Sequence, residues 1–332
     1  MSTSQKPSMA FLGNRGRREQ VPDRNLIPKE LVEFYAQSGF EKKTLNQYNS
    51  HVQKYVNYCN TLELRPWPAE METVEGFMAW LIHTGRPGSL KGAYSALNHE
   101  LTRRRLPTLG TKKSLILKQL ERTAEKEMVK NGAKPRDAFL SEMARHFCEN
   151  MNLNSRHDVQ CAAILTVGLR GLLRAGELMG LKFKHIRNHL GYQTLEFETR
   201  KNARSRVPLI FLDATGNITC PVACLKRWVK WREMEGPIRP DDYVFNTKPG
   251  NSIRISYKII ADMVRKAAKA AGYKDLNVSG HSLRIGGATE AMMAGFSELE
   301  IRIMGDWKSN AYMRYLRAVQ PAAMGASARM GL

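Results

Sequence analysis

The sequence predicts a mainly helical chain that has one small antiparallel β-sheet and divides into two domains. Apolar residues recur at three- and four-residue steps through most of the chain, which is the spacing of one helix face. Strict alternation of apolar and polar residues, typical of a half-buried strand, is confined to a short central region. With 332 residues and 42% hydrophobic content, the chain is long enough for two separate cores.

The first predicted domain is a helical bundle that follows a basic arm. Residues 1–27 are polar and contain the cluster Arg15, Arg17 and Arg18, so we expect a flexible arm that contacts phosphates. Residues 28–129 have a helical pattern that is interrupted by short breaks rich in Pro and Gly. These breaks lie at 65–68, 85–88 and 107–110. The pattern predicts four or five helices with short connections.

The second predicted domain, residues 138–332, follows a charged linker at 130–137 that contains Gly and Pro. Leu195 and Phe197 alternate with glutamates, which predicts the middle strand of a small antiparallel sheet. The extended stretches that we expect are Phe183–Arg187, Tyr192–Thr199 and Arg206–Leu212. The helices that we expect run from Phe139 to about Leu181, and then over Val222–Glu235, Tyr257–Ala271, Ser282–Ala294, Ser297–Met304 and Asn310–Ala318.

The chain is strongly basic, with a net charge of +21. Residues 1–135 hold 22 Lys and Arg against 13 Asp and Glu, and the remainder holds 30 against 18. Basic proteins gain affinity for polyanions by displacing counterions, so this balance favours a nucleic acid that both domains bind. The alternative is a basic protein with no polyanionic partner.

The cysteines and apolar runs indicate the compartment. Cysteines are few, no secretory leader precedes them, and no apolar run reaches the length of a membrane span, so we expect a reduced intracellular environment. Cys220 and Cys224 have no second Cys or His pair at ligand spacing. We expect them to pack on one side of a helix that opens after Pro221, and we expect no metal. No Gly-Lys-Ser/Thr phosphate loop occurs, so no nucleotide cofactor is expected.

Two short motifs contain arginines suited to binding phosphate. Arg174 and Glu177 lie three residues apart, and we expect them on one face of a helix. His281 and Arg284 are also three apart, at an expected helix start whose free N–H groups favour an anion. Guanidinium groups bind phosphate oxygens through two parallel charged hydrogen bonds. The alternatives are a structural ion pair for the first motif, and a capping histidine with a surface arginine for the second.

Other basic residues are candidates for contacts with a nucleic-acid backbone. Lys201 lies in a polar turn after the middle strand, together with Arg200, Arg204 and Arg206. Four cations at this density repel one another unless an anion is near, which favours a DNA contact over an ordinary solvated loop. The candidates in the first domain are Lys91, Arg103, Arg104 and Arg105.

Aromatic residues near the end of the chain complete the candidate set. Trp307 lies eight residues before Tyr315, and Tyr312 shares a helix face with Tyr315 if that segment is helical. Such a stripe, taken alone, is more often part of a core. A phenol beside a phosphate held by arginines is instead a potential nucleophile toward phosphorus.

The order of these motifs resembles the tyrosine recombinase (phage integrase-like) superfamily over about residues 139–320. In that family an arginine in a G-L-x-R-x-x-E-L setting, a hairpin lysine, an H-x-x-R pair, a His or Trp and a late tyrosine follow one another. The corresponding residues here are Arg174 with its supporting Glu177, Lys201, His281, Arg284, Trp307 and Tyr315. The preceding helices resemble the family's core-binding domain. The segment 305–317 is most similar to recombinases of Crypton and DIRS transposons.

Two departures from the family pattern leave alternatives open. The tyrosine commonly follows the His/Trp position by nine residues, whereas Tyr315 follows Trp307 by eight. Tyr312 is therefore a second candidate nucleophile. Arg200 and Arg204 compete with Lys201 for the hairpin role.

The resemblance implies a site-specific recombinase that breaks and rejoins double-stranded DNA through a covalent 3′-phosphotyrosine, without metal, ATP or a small-molecule substrate. It implies a homotetramer on two DNA sites, with the tail 316–332 as a candidate assembly arm. The expected location is intracellular, at DNA, in the nucleus for a eukaryotic transposon and otherwise in the cytoplasm or nucleoid. The alternatives are a type IB topoisomerase-like nicking-closing enzyme and a domesticated, non-catalytic DNA-binding protein.

Overall fold

The structure, a computed structural model, describes residues 39–110, 113–130, 135–197, 209–250, 253–307 and 313. The chain divides into two compact units, Met1–Ala133 and Lys134–Leu332. The expected arm at 1–27 lies outside the described residues. No helix in the described ranges is both long and apolar enough to cross a membrane.

Four α-helices form the described part of the first unit. They are α1 (Lys42–Thr61), α2 (Met71–His83), α3 (Leu90–Arg103) and α4 (Leu115–Lys130), with a 3₁₀ turn at Pro87–Ser89. Each helix buries one apolar face in a common core, as the helical spacing predicts. Tyr55 and Phe77 are fully buried there and meet edge to face, with ring centroids 5.3 Å apart.

The second unit is built around one buried helix. Its helices are α5 (Ser141–Asn150), α6 (Arg156–Arg170), α7 (Ala175–Gly180), α8 (Pro221–Met234), α9 (Tyr257–Ala270), α10 (Ser282–Met293) and α11 (Glu298–Gly305). Helix α6 is buried continuously over 159–169, because all residues of that segment except Gln160 and Thr166 are apolar or Gly. Ser155 caps its start by accepting a hydrogen bond from the Asp158 amide at 3.3 Å.

A three-stranded antiparallel sheet packs on this helical core. Its strands are β1 (Ile186–Asn188), β2 (Tyr192–Glu196) and β3 (Leu209–Asp213), in the order β1-β2-β3. Leu195 is fully buried, so the alternating pattern in β2 identified the inward face correctly. This arrangement confirms the predicted fold class, mainly α with one small antiparallel sheet.

The predicted start of the first strand is wrong. Phe183–His185 forms a 3₁₀ turn, and the strand begins only at Ile186. The His185 amide donates to the Lys182 carbonyl at 3.0 Å, and the Lys182 amide donates to Nδ1 of His185 at 3.2 Å. These local bonds satisfy backbone groups that a strand would otherwise pair.

The five cysteines are all buried as free thiols. Cys220 precedes α8 and caps it, because its Sγ accepts a hydrogen bond from the Ala223 amide. Cys224 lies inside the helix and within the main core. A hydrogen bond from Cys148 is the largest influence on the Cys224 thiol and lowers its pKa to about 7. Both cysteines of the predicted pair therefore have structural partners.

Two glycines fix the position of α10. A Cβ added at Gly286 would lie 1.8 Å from the Phe139 carbonyl oxygen, and one at Gly287 would lie 2.1 Å from the Leu169 carbonyl oxygen. The helix can therefore approach these backbones only where side chains are absent. This close approach determines where the first turn of α10, with His281 and Arg284, lies relative to the end of α6.

Candidate active site

The turn between α6 and α7 positions Arg174. Leu172 adopts a left-handed conformation with φ of 47°, and Arg174 then lies in extended backbone as the residue that precedes α7. Arg174 is therefore not on a helix face with Glu177, as the spacing had suggested. The turn brings them together in another way. The Glu177 carboxylate accepts hydrogen bonds from the Arg174 amide and from its Nη1, both at 2.8 Å.

The ion pair between Arg174 and Glu177 is only partly shielded from solvent. The Arg174 side chain is 24% exposed and the Glu177 side chain is 11% exposed. A guanidinium has five N–H donors in a fixed planar fork. The bond from Nη1 to Glu177 orients that fork and leaves donors for an anionic ligand. Arg174 can therefore both stabilise the turn and bind phosphate.

Arg284 lies in the first turn of α10 and is fully buried. Its Nη1 donates to the Leu172 carbonyl, and its Nη2 donates to the Gly305 carbonyl. Its Cζ lies 3.9 Å from the centroid of the Trp307 ring, in a cation–π contact. The alternative interpretation of Arg284 as a surface arginine is wrong, because a helix packed on glycines draws the side chain inward.

His281 precedes α10 at the position expected from the sequence. Its side chain makes no capping hydrogen bond, which argues against the interpretation as a capping histidine. Burial lowers its pKa first, and the positive charges of Arg284 and then Arg174 lower it further. The imidazole is therefore neutral near pH 7, and it lies close enough to both arginines for their charges to act on it.

Two positive charges act on His281. They belong to Arg174 and Arg284, and the Glu177 carboxylate is bonded to Arg174. Guanidinium groups bind anions such as phosphate through paired charged hydrogen bonds. These side chains are therefore suited to an anion site, and the neutral imidazole can accept a proton or donate a hydrogen bond there.

Trp307 was considered either as part of a core or as part of the site, and its contacts agree with both. It belongs to a small buried cluster with Leu172, Ala288, Ala291 and Ile301, and it is 9% exposed. The expectation that it packs in a core is therefore correct. Its ring also covers the guanidinium of Arg284, so this core contact is part of the site.

Several predicted site residues lie outside the described residues. These are Arg200, Lys201, Arg204, Arg206, Tyr312 and Tyr315. Their roles stay predictions, as does the expected helix over Asn310–Ala318.

Three of the four basic candidates in the first unit form ion pairs with carboxylates. Lys91 lies 3.1 Å from Glu125 in an exposed pair. Arg103 and Arg104 both bond to Glu100, each with a shortest contact of 2.7 Å, and the Glu100 side chain is only 8% exposed. These two cations have positions fixed by a buried anion, whereas the neighbouring Arg105 adopts a left-handed backbone. Their predicted role in binding DNA stays a prediction.

The sequence did not reveal the backbone carbonyls that hold Arg284. Leu172 and Gly305 contribute through main-chain atoms, so their side-chain types give no signal. The left-handed conformation of Leu172 could not be predicted from the sequence either, because leucine rarely adopts it.

Comparison with solved structures gives the class of fold. XerH site-specific recombinase, in a post-cleavage complex with palindromic difH substrate, is similar with a TM-score of 0.62 and 16% identity, over 85% of this chain and 78% of that chain. The Tn1549 transposon integrase in complex with transposon right end DNA is similar with a TM-score of 0.60 and 12% identity, over 90% and 97% of the two chains. The second unit with its arginine cluster therefore belongs to a tyrosine-recombinase fold.

Comparison of sequences gives the family. The model of the phage integrase family matches residues 116–321, which is more than half of the chain, and the chain belongs to that family. The recombinase Cre of Escherichia phage P1 is 22% identical over 313 residues, covering 88% of this chain and 89% of Cre. These findings confirm the predicted superfamily. The narrower resemblance to Crypton and DIRS elements stays a prediction.

Proposed function

We propose that the protein is a site-specific DNA recombinase that exchanges strands through a covalent 3′-phosphotyrosine. The observation that supports this most directly is the cluster of Arg174, His281 and Arg284, in which the charges of two arginines act on one imidazole. These residues come from two distant segments, and the buried contact between Arg284 and the Leu172 carbonyl joins those segments. Membership of the phage integrase family agrees with this chemistry.

The proposed reaction begins with attack on a DNA phosphorus by the Tyr315 phenolic oxygen, which loses its proton with His281 as the proposed acceptor. The bond to the 5′ oxygen breaks as the phosphotyrosine forms, and the leaving oxygen takes a proton for which Lys201 is the proposed donor. Arg174 and Arg284 would stabilise the charge that grows on the non-bridging oxygens. A 5′-hydroxyl from a second strand then attacks the phosphotyrosine and restores the phosphodiester.

Two further side chains assist this reaction in the proposal. Glu177 fixes the Arg174 fork through its Nη1 bond, so the guanidinium is oriented before DNA arrives. His281 is neutral near pH 7 and can therefore serve as a proton acceptor or as a donor to a phosphate oxygen. Trp307 can add an indole N–H donor but cannot take up a proton.

Double-stranded DNA is the proposed partner, bound by both basic parts of the chain. A homotetramer on two DNA sites is the proposed assembly, because strand exchange requires two sites to be cut together. The lambda integrase, similar in fold with a TM-score of 0.54, 15% identity and coverage of 85% of this chain and 74% of that one, is known as a tetramer bound to a Holliday junction. The proposed location follows from the partner: at DNA, in the nucleus or in the nucleoid.

Covalent trapping on a nicked suicide duplex tests the proposal. Duplexes are first selected from a random pool by binding to the protein, and the trapped species is then resolved under denaturing conditions. Tyr315→Phe should abolish trapping, and Tyr312→Phe, its matched control, should retain it. The reverse result would assign the nucleophile to Tyr312.

The same duplexes separate the remaining alternatives. Exchange between two selected sites supports the recombinase. Relaxation of supercoils without site-specific exchange would indicate a nicking-closing enzyme. Tight binding without any covalent product would indicate a DNA-binding protein that has lost catalysis.

A further inference from the structure

The end of helix α3 brings two arginines onto one buried carboxylate. The Glu100 side chain is 8% exposed, whereas those of Arg103 and Arg104 are 50% and 40% exposed. Nε and Nη2 of Arg103 donate to the two carboxylate oxygens of Glu100 at 2.8 and 2.7 Å. Nε of Arg104 donates to Oε1 of the same carboxylate at 2.7 Å. One buried anion therefore fixes two guanidiniums that solvent can reach, and these three residues are called the Glu100 clasp below.

We propose that Glu100 is a positioning residue, and that it holds Arg103 and Arg104 as a fixed pair for backbone phosphates of DNA. The inference rests on the proposed function, because it takes DNA as the partner. Guanidinium forks bind phosphate oxygens through paired charged hydrogen bonds, and less entropy is lost on binding when the forks are already oriented. Phosphate contacts of this kind set the position of a protein along the duplex. The alternative is a structural role, in which the ion pairs only stabilise the last turn of α3.

The carboxylate of the clasp stays ionised although it is buried. The hydrogen bond from Arg103 is the largest influence on the pKa of Glu100 and lowers it. Burial opposes this effect, and the hydrogen bond from Arg104 lowers the pKa further. Charged hydrogen bonds between a guanidinium and a carboxylate are shorter and stronger than neutral ones. The clasp therefore keeps its geometry at neutral pH.

An aromatic ring also orients Arg104. The Cζ atom of Arg104 lies 4.5 Å from the centroid of the Trp67 ring, in a cation–π contact. Trp67 meets the fully buried Tyr55 at a centroid distance of 5.6 Å, so this ring is anchored on the core of the first unit. The bond to Glu100 engages Nε of Arg104 and leaves its terminal nitrogens as donors for a phosphate.

The chain that follows α3 is bonded back onto the helix. The Leu109 amide donates to Oδ1 of Asn98 at 2.9 Å. The Tyr94 hydroxyl donates to the Leu109 and Gly110 carbonyls at 3.2 and 3.1 Å. Tyr94 and Leu109 are both buried. A ligand is bound most precisely by side chains on a rigid support, and these bonds supply such a support beside the clasp.

Arg105 occupies a backbone position that favours glycine. Its φ is 58°, and its amide donates to the Thr102 carbonyl at 3.0 Å. The Leu106 amide donates to the Leu101 carbonyl at 2.9 Å, which completes a Schellman motif. Glycine is the commonest residue at this point of the motif, because a side chain is strained in the left-handed region. An exposed arginine here lowers stability directly beside the clasp, which agrees with a ligand-binding role for this corner.

Replacement of Glu100 by glutamine separates the two roles by the sign of its effect on affinity. Removal of a negative charge raises the general attraction of a protein for DNA, whereas loss of two oriented arginines weakens binding to the backbone. The dissociation constant of the full chain is measured on a selected duplex at several salt concentrations. We expect Glu100→Gln to bind about tenfold more weakly and with a smaller salt dependence.

Glu127→Gln is the matched control. Glu127 lies 3.1 Å from Lys130, three residues later on α4, so the same charge is removed from an ion pair on a helix of the same unit. Its affinity for the duplex should equal that of the wild-type chain or slightly exceed it. Urea unfolding of both variants defines the conditions under which each is folded, and binding is compared only under those conditions.

Two further variants test the corner if Glu100→Gln does not fold. Arg103→Lys combined with Arg104→Lys keeps both charges but removes the planar forks, so it should bind about tenfold more weakly. Adding Glu100→Gln to this double variant should cause little further loss, because the carboxylate acts through the forks. Arg105→Gly should raise the urea midpoint, lower the affinity and reduce the salt slope by about one.

The outcomes distinguish this inference from the proposed function. If Glu100→Gln or the double lysine variant binds at least as tightly as the wild-type chain, on a duplex that the wild-type chain cleaves, the positioning role is overturned. Glu100 would then have the structural role alone. Failure of the wild-type chain to bind any duplex from the pool would instead overturn the proposed function.

Discussion

Substituting Gly286 by alanine should destabilise the second unit and misplace the arginine cluster. An ordinary contact at Cβ lies at 3.4–4 Å, whereas the new Cβ would lie 1.8 Å from the Phe139 carbonyl oxygen. The difference, 3.4 less 1.8, means that α10 must retreat by about 1.6 Å. Such overpacking typically costs about 1–3 kcal/mol and occasionally more. Alanine recovers about 1 kcal/mol through its better helix propensity. We therefore expect a net loss of about 1 kcal/mol, rising to about 2 kcal/mol at the upper end of that range.

The displacement should reduce activity beyond the loss of stability. His281 directly precedes α10 and Arg284 is in its first turn, so the retreat displaces both relative to Arg174. A misplacement of about 1 Å in a catalytic group can cost about a hundredfold in rate. The measurements are urea unfolding of the variant and single-turnover covalent trapping under conditions where it is folded.

Gly176→Ala is the matched control for stability. Gly176 also lies in a helix, but a Cβ added there meets nothing within 4 Å. Its unfolding midpoint should stay the same or rise slightly, since alanine is the better helix former. A Gly286→Ala protein that unfolds at the wild-type midpoint would refute the packing described for α10.

Three further predictions concern the cluster itself. Glu177→Gln removes a charged hydrogen bond to Arg174, which contributes about 1.5–3 kcal/mol, so trapping should slow by about tenfold to a hundredfold with little change in DNA affinity. His281 has a pKa below 6.5, owing to burial and then to Arg284 and Arg174, so the unfolded chain binds its proton more readily. The stability that this neutral imidazole contributes is therefore complete above about pH 6.5 and is lost as the pH falls below that value. Between about pH 7.5 and about pH 5.5, the free energy of unfolding should fall less for His281→Gln than for the wild-type chain. Trp307→Phe keeps an aromatic face over the guanidinium but removes the N–H, so its trapping rate should fall less than that of Trp307→Ala.

Each of these predictions has an outcome that contradicts it. Equal trapping rates for Glu177→Gln and the wild-type chain would show that the carboxylate does not orient Arg174. An identical loss of stability on acidification with and without His281 would mean that this imidazole titrates normally. A Phe variant as slow as the Ala variant would assign the role of Trp307 to its N–H rather than to its ring.

Local patterns in the sequence predicted most of the fold. The helices α8, α9 and α10 begin within a residue of the expected positions. Pro221 marks the start of α8, and Ser256 caps the start of α9. The expected β1 failed at Phe183, where a short-range bond from the Lys182 amide to His185 competes with strand pairing.

Candidate site residues could be named from the sequence, but their structural environment could not be predicted. The motif spacing identified Arg174 and Arg284 as candidates. It could not show that Arg174 precedes its helix or that Arg284 is buried. Both facts depend on the left-handed conformation of Leu172 and on the Leu172 and Gly305 carbonyls, which are distant from Arg284 in the sequence. The periodicity of a helix or strand pattern gives no information about these features.

The burial of all five thiols makes the chain suitable for fluorescent labelling. A maleimide dye reacts with accessible thiols, so the wild-type protein should take up almost no label in its folded state. A single cysteine placed at an exposed position such as Leu190, which is 100% exposed in the β1–β2 turn, would then be the one reactive site. If one sample is labelled with a donor dye and another with an acceptor dye, energy transfer between them would report the assembly of two or more copies on DNA. No native cysteine would need to be removed.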